Sequence, residues 1–332
     1  MAIIHPTTPS GGIWIDDFVD PASPYRFQKF GPQGNGANWH NRGRTTTRSE
    51  WRRHFAQAWR ALRSRPDVVV ANFPPLIFAS CVLKTLMRSR ARIVGWSFNF
   101  GGGSKSRMAA VYGRAFRRAS VLVTHSRAEI ATYARAFDLP AGKFCFVPFQ
   151  QGDLQEQPAA ERFDLVAMGS AGRDYATLFE ALRGTGLRAL VIAKPEAVAG
   201  LDIPENAEVR SGLTLTECRS LSLAAPISVV PVAEQDNAAG QVTFLIAMAQ
   251  GRAIVATRCT GTNDYLTDGV DSLLVEPQDP AALRAALLRL AEDEDLRRSL
   301  SGGAQENWRR NFSDQAAGRN LRDLLDRVTG HE

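Results

Sequence analysis

The sequence predicts an α/β protein made of two doubly wound domains, each with a parallel sheet covered by helices on both faces. The chain has 332 residues, which suits two domains of about 150 residues each. Short apolar runs recur along it and are continuous rather than alternating, as in strands buried on both faces. Helical patterns separate these runs, so strand and helix alternate through both halves of the chain.

The predicted elements account for most of the chain. The predicted strands lie at 66–73, 91–98, 119–126, 143–149, 163–170, 188–194, 207–212, 227–232, 253–259 and 271–277. The predicted helices lie at 48–64, 77–90, 105–118, 127–138, 174–184, 214–224, 240–250 and 281–300. Residues 20–47 are rich in Gly, Pro, Asn and Thr and are predicted to form a long loop.

A polar stretch at 150–162 separates the two series of strands. The predicted domains are therefore 1–152 and 160–313, and the sequence permits a last helix at 314–330 to pack back on the first domain. Ligands of doubly wound sheets bind at the carboxyl ends of the strands. We therefore expect a site in the cleft where the carboxyl edges of the two sheets face each other.

Composition indicates a soluble protein with an uneven charge. Residues 1–150 contain 22 Lys and Arg against 7 Asp and Glu, whereas residues 151–332 contain 18 against 27. The basic half favours contact with a polyanionic surface, either nucleic acid or anionic lipid, although a GC-rich genome would also enrich arginine. The cysteines are widely spaced and indicate neither a metal site nor a disulfide. Without a signal-peptide pattern or a long apolar run, the expected location is the cytoplasm.

The stretch "AEQDNAAGQVTFLIAMAQGRAIVATRCTGTNDYL" sets a polar loop directly against a predicted helix start. The helix begins near Gly240 and Gln241, after the strand 227–232. A helix start offers unpaired N–H groups and a partial positive charge, which suit a phosphate. Gly240 lets a ligand approach the backbone, and Gln241 and Thr243 add side-chain donors. The alternative is an ordinary helix start with no ligand.

Two further features converge on the same sheet edge. After the strand 163–170, the loop with Ser170, Gly172 and Arg173 opens a helix, and its guanidinium could bind a diphosphate with two hydrogen bonds. Lys194 ends the next strand and could face the same phosphates, although a solvated lysine at a strand end is the more common case. Together these residues predict a diphosphate site.

Two segments of the sequence resemble a known family. The segment "GQVTFLIAMAQGRAIVATRCTGTNDYLTDGVDSLLVEPQDPAAL" is similar to the nucleotide-sugar half of retaining GT-B glycosyltransferases of group 1, the family four class. The segment "ASVLVTHSRAEIATYARAFDLPAGKFCFVPFQ" resembles the end of their acceptor domain. The resemblance implies the GT-B fold and transfer of a hexose from a UDP- or GDP-sugar to a glycan or lipid-linked acceptor. It also implies a place in bacterial surface polysaccharide or glycoconjugate synthesis.

The resemblance assigns roles to individual residues. Arg173 would contact the donor diphosphate, and Gln241 and Thr243 would cap it. The residues implied for the donor sugar and nucleoside are Glu234, Asp236, Asn237 and Asp264. The chain departs from the family at Ile246, because the family has a glutamate there that binds the ribose.

The first half carries the predicted acceptor and membrane contacts. Its basic amphipathic segment could lie on an anionic membrane with each cation contributing about 1 kcal/mol, or it could be a core-packed helix with a solvated basic face. The cations of this segment are Lys105, Arg107, Arg114, Arg117 and Arg118. We therefore expect the protein to bind peripherally at the inner face of the plasma membrane.

Candidates for the catalytic acid or base are Asp16, Asp17 and His125. Asp16 and Asp17 lie near the first glycine loop, and His125 ends a predicted strand, where a hydrogen-bonded structural histidine is the more common case. In a retaining mechanism the leaving phosphate itself could take the acceptor proton. No D-x-D pair lies at a predicted strand end, so we expect no metal and no cofactor.

Three other functions remain open at this stage. The first is a GT-B-shaped sugar-nucleotide epimerase, which would need more acid and base residues than the sequence offers. The second is a catalytically inactive protein that still binds a sugar nucleotide, which Ile246 would suit. Nucleic-acid binding is the third, but no recognition motif is present, so we expect no nucleic-acid partner.

Overall fold

The computed structural model describes residues 2–6, 26–30, 48–100, 108–233 and 239–330. The chain forms two compact units, of which the first comprises 1–148 with 317–332 and the second comprises 149–316. Residues 153–159, which the sequence analysis left between two domains, pack on the second unit. Leu154 joins an apolar cluster there, and the Ala159 N–H donates to the Ser220 carbonyl at 3.0 Å.

The first unit contains a parallel six-stranded sheet in the order β2-β1-β3-β4-β5-β6. Its elements are β1 (Ala2–Pro6), β2 (Arg26–Phe30), α1 (Arg48–Arg63), β3 (Val68–Asn72), α2 (Phe73–Leu86), β4 (Arg92–Trp96), α3 (Ala109–Phe116), β5 (Val121–Thr124), α4 (Arg127–Phe137) and β6 (Phe144–Phe146). Strand β1 was not predicted from the sequence, and the predicted long loop at 20–47 is wrong at β2. Neither strand is announced by a long apolar run, and β2 reads RFQKF.

The second unit contains another parallel six-stranded sheet, in the order β12-β11-β10-β7-β8-β9. Its elements are β7 (Leu165–Met168), α5 (Tyr175–Leu182), β8 (Ala189–Ile192), β9 (Ala207–Arg210), α6 (Leu215–Ala224), β10 (Ile227–Val230), α7 (Gln241–Ala249), β11 (Ala253–Thr257), β12 (Leu273–Val275), α8 (Pro280–Glu292) and α9 (Glu294–Asn307), and α10 (Asp314–Thr329) follows them.

The predicted helix 281–300 is in fact two helices that share one capping residue. The Asp293 N–H donates to the Arg289 carbonyl at 3.0 Å and ends α8. The Asp293 carboxylate accepts from the Leu296 N–H at 2.8 Å and begins α9. An aspartate before the first helical residue is a strong start signal, because its side chain satisfies an N–H that the helix leaves unpaired.

Alternating strand residues bury both faces of each sheet. In the first unit, Val69 and Ile93 face the cluster formed with α1 to α4, whereas Val70 and Val94 face Leu321 and other residues of α10. A strand buried on both faces needs apolar residues at successive positions, which explains the continuous runs in the sequence. The predicted architecture of parallel sheets covered by helices is confirmed.

Strand order fixes where each sheet can bind a ligand. In the second unit the chain proceeds outward from β7 to β9 and then returns to β10 on the other side of β7. The connections after β7 and β10 therefore diverge at the carboxyl edge and leave a crevice. In the first unit the equivalent point lies between β1 and β3.

His125 lies buried at the end of β5, with 4% of its surface exposed. Its Nδ1 lies 2.7 Å from the Val147 carbonyl, which can only accept, so Nδ1 carries the proton. Its Nε2 lies 2.9 Å from Ser97 Oγ and accepts from that hydroxyl. Burial lowers the pKa of the imidazole to about 4, so the ring is neutral near pH 7. His125 thus ties β4, β5 and the segment after β6 together.

Two adjacent glycines of α9 allow a matched test of packing. A methyl group on Gly303 would lie 2.2 Å from the Val270 carbonyl oxygen, whereas one on Gly302 would meet no atom within 4 Å. We expect Gly302→Ala to stabilise the protein by up to about 1 kcal/mol through helix propensity. Gly303→Ala should destabilise it by about 1–3 kcal/mol, because Val270 would have to move. Urea unfolding of both variants measures the difference, and a stabilising Gly303→Ala would contradict the packing described.

The neutral state of His125 makes folding pH-dependent. The folded pKa lies below the value of about 6.5 in the unfolded chain, so the unfolded state binds the proton first as the pH falls. The stability that the neutral imidazole contributes to the folded state is present above pH 6.5 and is lost as the pH falls toward 4. Between pH 7 and pH 5 the loss should be about 2 kcal/mol. We expect His125→Gln to be less stable at pH 7 but to lose less on acidification, as urea titrations at both pH values would show. Equal losses of unfolding free energy between pH 7 and pH 5 in the two proteins would contradict this prediction.

Candidate functional site

Three connections meet at the carboxyl edge of the second sheet. They are the loop 169–174 after β7, the start of α7 after β10 and the turn 258–264 after β11. Since β10 lies between β7 and β11, these connections are neighbours in space. The loop after β7 is hydrogen-bonded to the segment after β10, because the Asp174 N–H donates to the Pro231 carbonyl and the Ala233 N–H donates to the Gly172 carbonyl, both at 3.1 Å.

Arg173 is the central cation of this edge. Its Nε donates to the Met168 carbonyl at 3.3 Å and its Nη1 to the Ala171 carbonyl at 3.1 Å. Its Nη2 donates to Thr243 Oγ1 at 3.0 Å. No carboxylate of the described residues pairs with the guanidinium, and N–H groups of Nη1 and Nη2 remain without a partner among those residues. The guanidinium also lies flat against Gly169, where a methyl group would be 2.8 Å from Nη2.

Burial lowers the pKa of the Arg173 guanidinium, and the neighbouring Tyr175 raises it. An arginine stays protonated under such conditions, so the site holds a permanent, partly desolvated positive charge. Burial also raises the pKa of the Tyr175 hydroxyl to about 12, so this group is a neutral donor, and it donates to the Gly169 carbonyl. Tyr175 was not predicted as a site residue, because the sequence shows only that it lies on an apolar helix face.

Thr243 is hydrogen-bonded to two segments of the protein. Its hydroxyl accepts from Arg173 and donates to the Met168 carbonyl at 3.3 Å, and the residue is 6% exposed. Its contact with a diphosphate stays a prediction. Thr243 fixes the position of Arg173 across the edge of the sheet.

The start of α7 has the free donors that the sequence predicted. Gly240 precedes the helix at φ 97°, and a methyl group there would lie 2.9 Å from Val230. The N–H groups of Gln241 and Val242 make no backbone hydrogen bond with the described residues. The Gln241 side chain is 6% exposed and has no hydrogen-bond partner among those residues. Its amide hydrogens are therefore available to a ligand at the helix start.

Ser170 and Lys194 meet on the other side of β7. The Lys194 N–H donates to Ser170 Oγ at 2.8 Å, which ties the ends of β7 and β8 together. The Lys194 side chain is exposed. The structure therefore brings Ser170, Gly172, Arg173, Lys194 and the α7 start to one edge, and their contact with a diphosphate stays a prediction.

The turn after β11 is held by Thr262 rather than by an acid. Thr262 Oγ1 accepts from the Cys259 N–H at 2.9 Å and donates to the Thr257 carbonyl at 3.1 Å. Gly261 lies so close to the segment before α7 that a methyl group on it would be 2.2 Å from the Ala239 carbonyl oxygen. The second polar loop is thus packed against the first. Asp264 lies partly buried in this turn, and its contact with the donor stays a prediction.

Asp271, in the "DGVDSLLV" part of the resemblance, is a structural residue. It is 2% exposed, and its carboxylate accepts from the Thr267 N–H and from Asn307 Nδ2, each at 2.7 Å. Ile246 is also 2% exposed and packs with Val166 and Met168. An apolar side chain cannot accept a hydrogen bond from a ribose hydroxyl, so the departure at this position removes that acceptor.

Of the predicted catalytic residues, the structure describes His125. It is buried, neutral and bonded through both ring nitrogens, and its catalytic role stays a prediction. Several other predicted residues lie outside the described residues. These are Asp16, Asp17, Lys105, Arg107, Glu234, Asp236 and Asn237. Of the predicted membrane cations, Arg114, Arg117 and Arg118 are exposed on the first unit.

In the described part of the chain, no group of three or more His, Cys, Asp or Glu side chains could hold a metal ion. No helix there is long and apolar enough to cross a bilayer.

Comparison with known proteins gives local sequence matches. Residues 184–293 match the family model described as glycosyl transferases group 1. The lipopolysaccharide core biosynthesis glycosyltransferase LpsD of Rhizobium meliloti is 38% identical over 77 residues, which cover 23% of this chain and 22% of LpsD. The D-inositol 3-phosphate glycosyltransferase of Salinispora tropica is 34% identical over 131 residues, 40% of this chain and 26% of that protein. The chain thus spans about a quarter of the length of these curated relatives.

Solved structures match over nearly the whole chain. Sucrose-phosphate synthase from Thermosynechococcus elongatus has a TM-score of 0.72 at 14% identity, with 100% of both chains covered. Anabaena Alr3699/HepE in complex with UDP-glucose has a TM-score of 0.70 at 14% identity, with 98% of this chain and 100% of that chain covered. These matches confirm the predicted fold. The chain has the two-domain GT-B fold, and its residues 184–293 match the group 1 glycosyl transferase family model.

Proposed function

We propose that this protein is a glycosyltransferase that moves a hexose from a nucleoside diphosphate sugar to a glycan or lipid-linked acceptor. One observation carries the proposal: a partly buried guanidinium without a carboxylate partner among the described residues lies beside a helix start with free N–H groups. The glycosyltransferase domain match makes a sugar nucleotide the natural anion for this site.

The charges of the site suit a diphosphate. Arg173 supplies a fixed cation, and the first N–H groups of α7 add the partial positive charge of a helix N-terminus. A buried charge without a counterion is costly, so an anionic ligand would supply the missing partner. Gln241 would donate its amide hydrogens to a phosphate oxygen or to the nucleoside beside it.

The same groups would assist the reaction itself. Negative charge grows on the diphosphate as the glycosidic bond breaks, and donors fixed before the reaction stabilise that charge without reorganising. Arg173 is held in place by Thr243 and by two carbonyls, so it meets this requirement. We propose a retaining reaction without a metal, in which the leaving phosphate accepts the proton of the acceptor hydroxyl.

The identity of the substrates rests on similarity. HepE was solved in complex with UDP and with UDP-glucose, so a uridine donor is the first to test. LpsD is named for lipopolysaccharide core biosynthesis, which supports a surface glycan as the acceptor. We propose that the protein acts in the cytoplasm, at the inner face of the plasma membrane.

A binding protein without turnover is the second candidate. Ile246 packs into an apolar cluster at the position where the resembled family has its ribose-binding glutamate. A sugar nucleotide held without that contact would bind more weakly or in a less productive position. Release of UDP from UDP-glucose, with and without glycan acceptors, separates an enzyme from a binding protein.

Arg173→Gln tests the donor site directly. We expect UDP to bind about 10- to 100-fold more weakly, because a hydrogen bond to a charged group contributes about 1.5–3 kcal/mol. Isothermal titration with UDP and with UDP-glucose measures the change. Arg183→Gln is the matched control, since Arg183 is an exposed arginine of the same unit that pairs with Glu180 and Asp202. Equal affinities of Arg173→Gln and Arg183→Gln, with both variants folded, would refute the assignment.

A further inference from the structure

The connections at the amino edge of the first sheet carry an unusual density of arginine. Helices that join parallel strands end beside the start of the next strand, so all these connections lie on the edge opposite the strand carboxyl ends. Six arginines of three successive connections define what we call the basic rim: Arg63, Arg65, Arg88, Arg90, Arg92 and Arg118.

The cations of the basic rim are exposed and uncompensated. None of the six forms an ion pair with a described residue. The connections that carry them, 60–67, 84–92 and 116–120, contain one acid, Asp67. Burial lowers the pKa of the nearby Lys84 ammonium, and Lys143, Arg118 and Arg92 lower it further. Like charges are therefore close enough here to repel one another.

Two of these arginines occupy backbone positions that favour glycine. Arg65 has φ 53° at the end of α1, and Arg88 has φ 52° at the end of α2. At Arg88 the N–H donates to the Thr85 carbonyl at 3.2 Å, and the Ser89 N–H donates to the Lys84 carbonyl at 2.9 Å, the pattern of a glycine-ended helix. A side chain in this left-handed conformation is strained. Folding alone would favour glycine at both places.

Large apolar side chains stand among the cations. Leu86, the last residue of α2, is 73% exposed, and Trp59 of α1 is 44% exposed with the Arg63 guanidinium 4.9 Å from its ring. Phe55 of α1 contacts Phe78 of α2. Both helices run in the same direction, so the ends of α1 and α2, about two turns further on, lie level with each other. Arg63 and Leu86 therefore belong to one surface.

We propose that the basic rim, with Leu86 and Trp59, is the surface through which this protein binds an anionic lipid bilayer. Arginines attract acidic headgroups, and an exposed leucine and tryptophan enter the interfacial layer that the headgroups form. This inference refines the membrane contact of the proposed function. It assigns that contact to the sheet edge opposite the strand carboxyl ends. It does not depend on the donor site.

Substitution of the strained arginines separates binding from folding. Arg65→Gly with Arg88→Gly removes two cations and relieves two left-handed backbones, so the melting temperature should stay level or rise. Binding of the full chain to vesicles of phosphatidylcholine with 30% phosphatidylglycerol should weaken about 30-fold, because each cation near an anionic surface contributes about 1 kcal/mol. Vesicle flotation at fixed ionic strength measures it, with phosphatidylcholine alone as the uncharged reference.

Two controls match the change in backbone and the change in charge. Gln278→Gly relieves a left-handed residue at φ 58° in the second unit without altering charge. Arg309→Gln with Arg310→Gln removes two exposed arginines of that unit. Both should bind vesicles as the unchanged protein does. The proposal is wrong if Arg65→Gly with Arg88→Gly binds the acidic vesicles as tightly as the unchanged protein does. It is also wrong if the unchanged protein does not bind them.

Leu86→Ser distinguishes lipid from nucleic acid. It keeps the charge, and vesicle binding should weaken severalfold. A single-stranded oligonucleotide that displaces the protein from vesicles, together with no effect of Leu86→Ser, would overturn the proposal in favour of a nucleic-acid surface. UDP affinity should be unchanged in all these variants. A protein that binds vesicles but not UDP would refute the donor site and leave the basic rim standing.

Discussion

The candidate site depends on one constraint, the placement of the Arg173 guanidinium between the end of β7 and the start of α7. Arg173 donates to two carbonyls of the first connection and to Thr243 in the first turn of the helix. These bonds join two chain segments that diverge at the point where the strand order reverses. They also leave a cation that no described carboxylate neutralises. The proposed diphosphate contact follows from that imbalance of charge.

Close backbone approaches make this placement possible. The guanidinium lies against Gly169, α7 begins with Gly240 beside Val230, and Gly261 brings the turn after β11 against Ala239. A side chain at any of these glycines would meet an atom at less than 3 Å. The turn after β11 is thus packed against the residue that precedes α7, beside the first N–H groups of that helix.

Several residues of catalytic type have structural roles. His125 links three strands, Asp271 holds the turn that α9 covers, and Thr243 fixes Arg173. Burial explains all three, because a polar group removed from water needs hydrogen-bond partners within the protein. The Gln241 side chain, by contrast, makes no hydrogen bond with the described residues. Together with the first N–H groups of α7, it offers donors to a ligand.

The sequence by itself determined the parallel architecture and the edge of the sheet on which the site lies. Continuous apolar runs require strands covered on both faces, and glycine with polar residues after such a strand marks a connection at its carboxyl end. It did not reveal β1 or β2, which lack long apolar runs, and the capping signal of Asp293 was overlooked within one long helical pattern. Only the tertiary structure decided which polar groups are bonded within the protein and which make no hydrogen bond with the described residues. The hydroxyl of Thr243 and the imidazole of His125 are committed to partners that lie far away in the sequence, and no local pattern records such distant contacts.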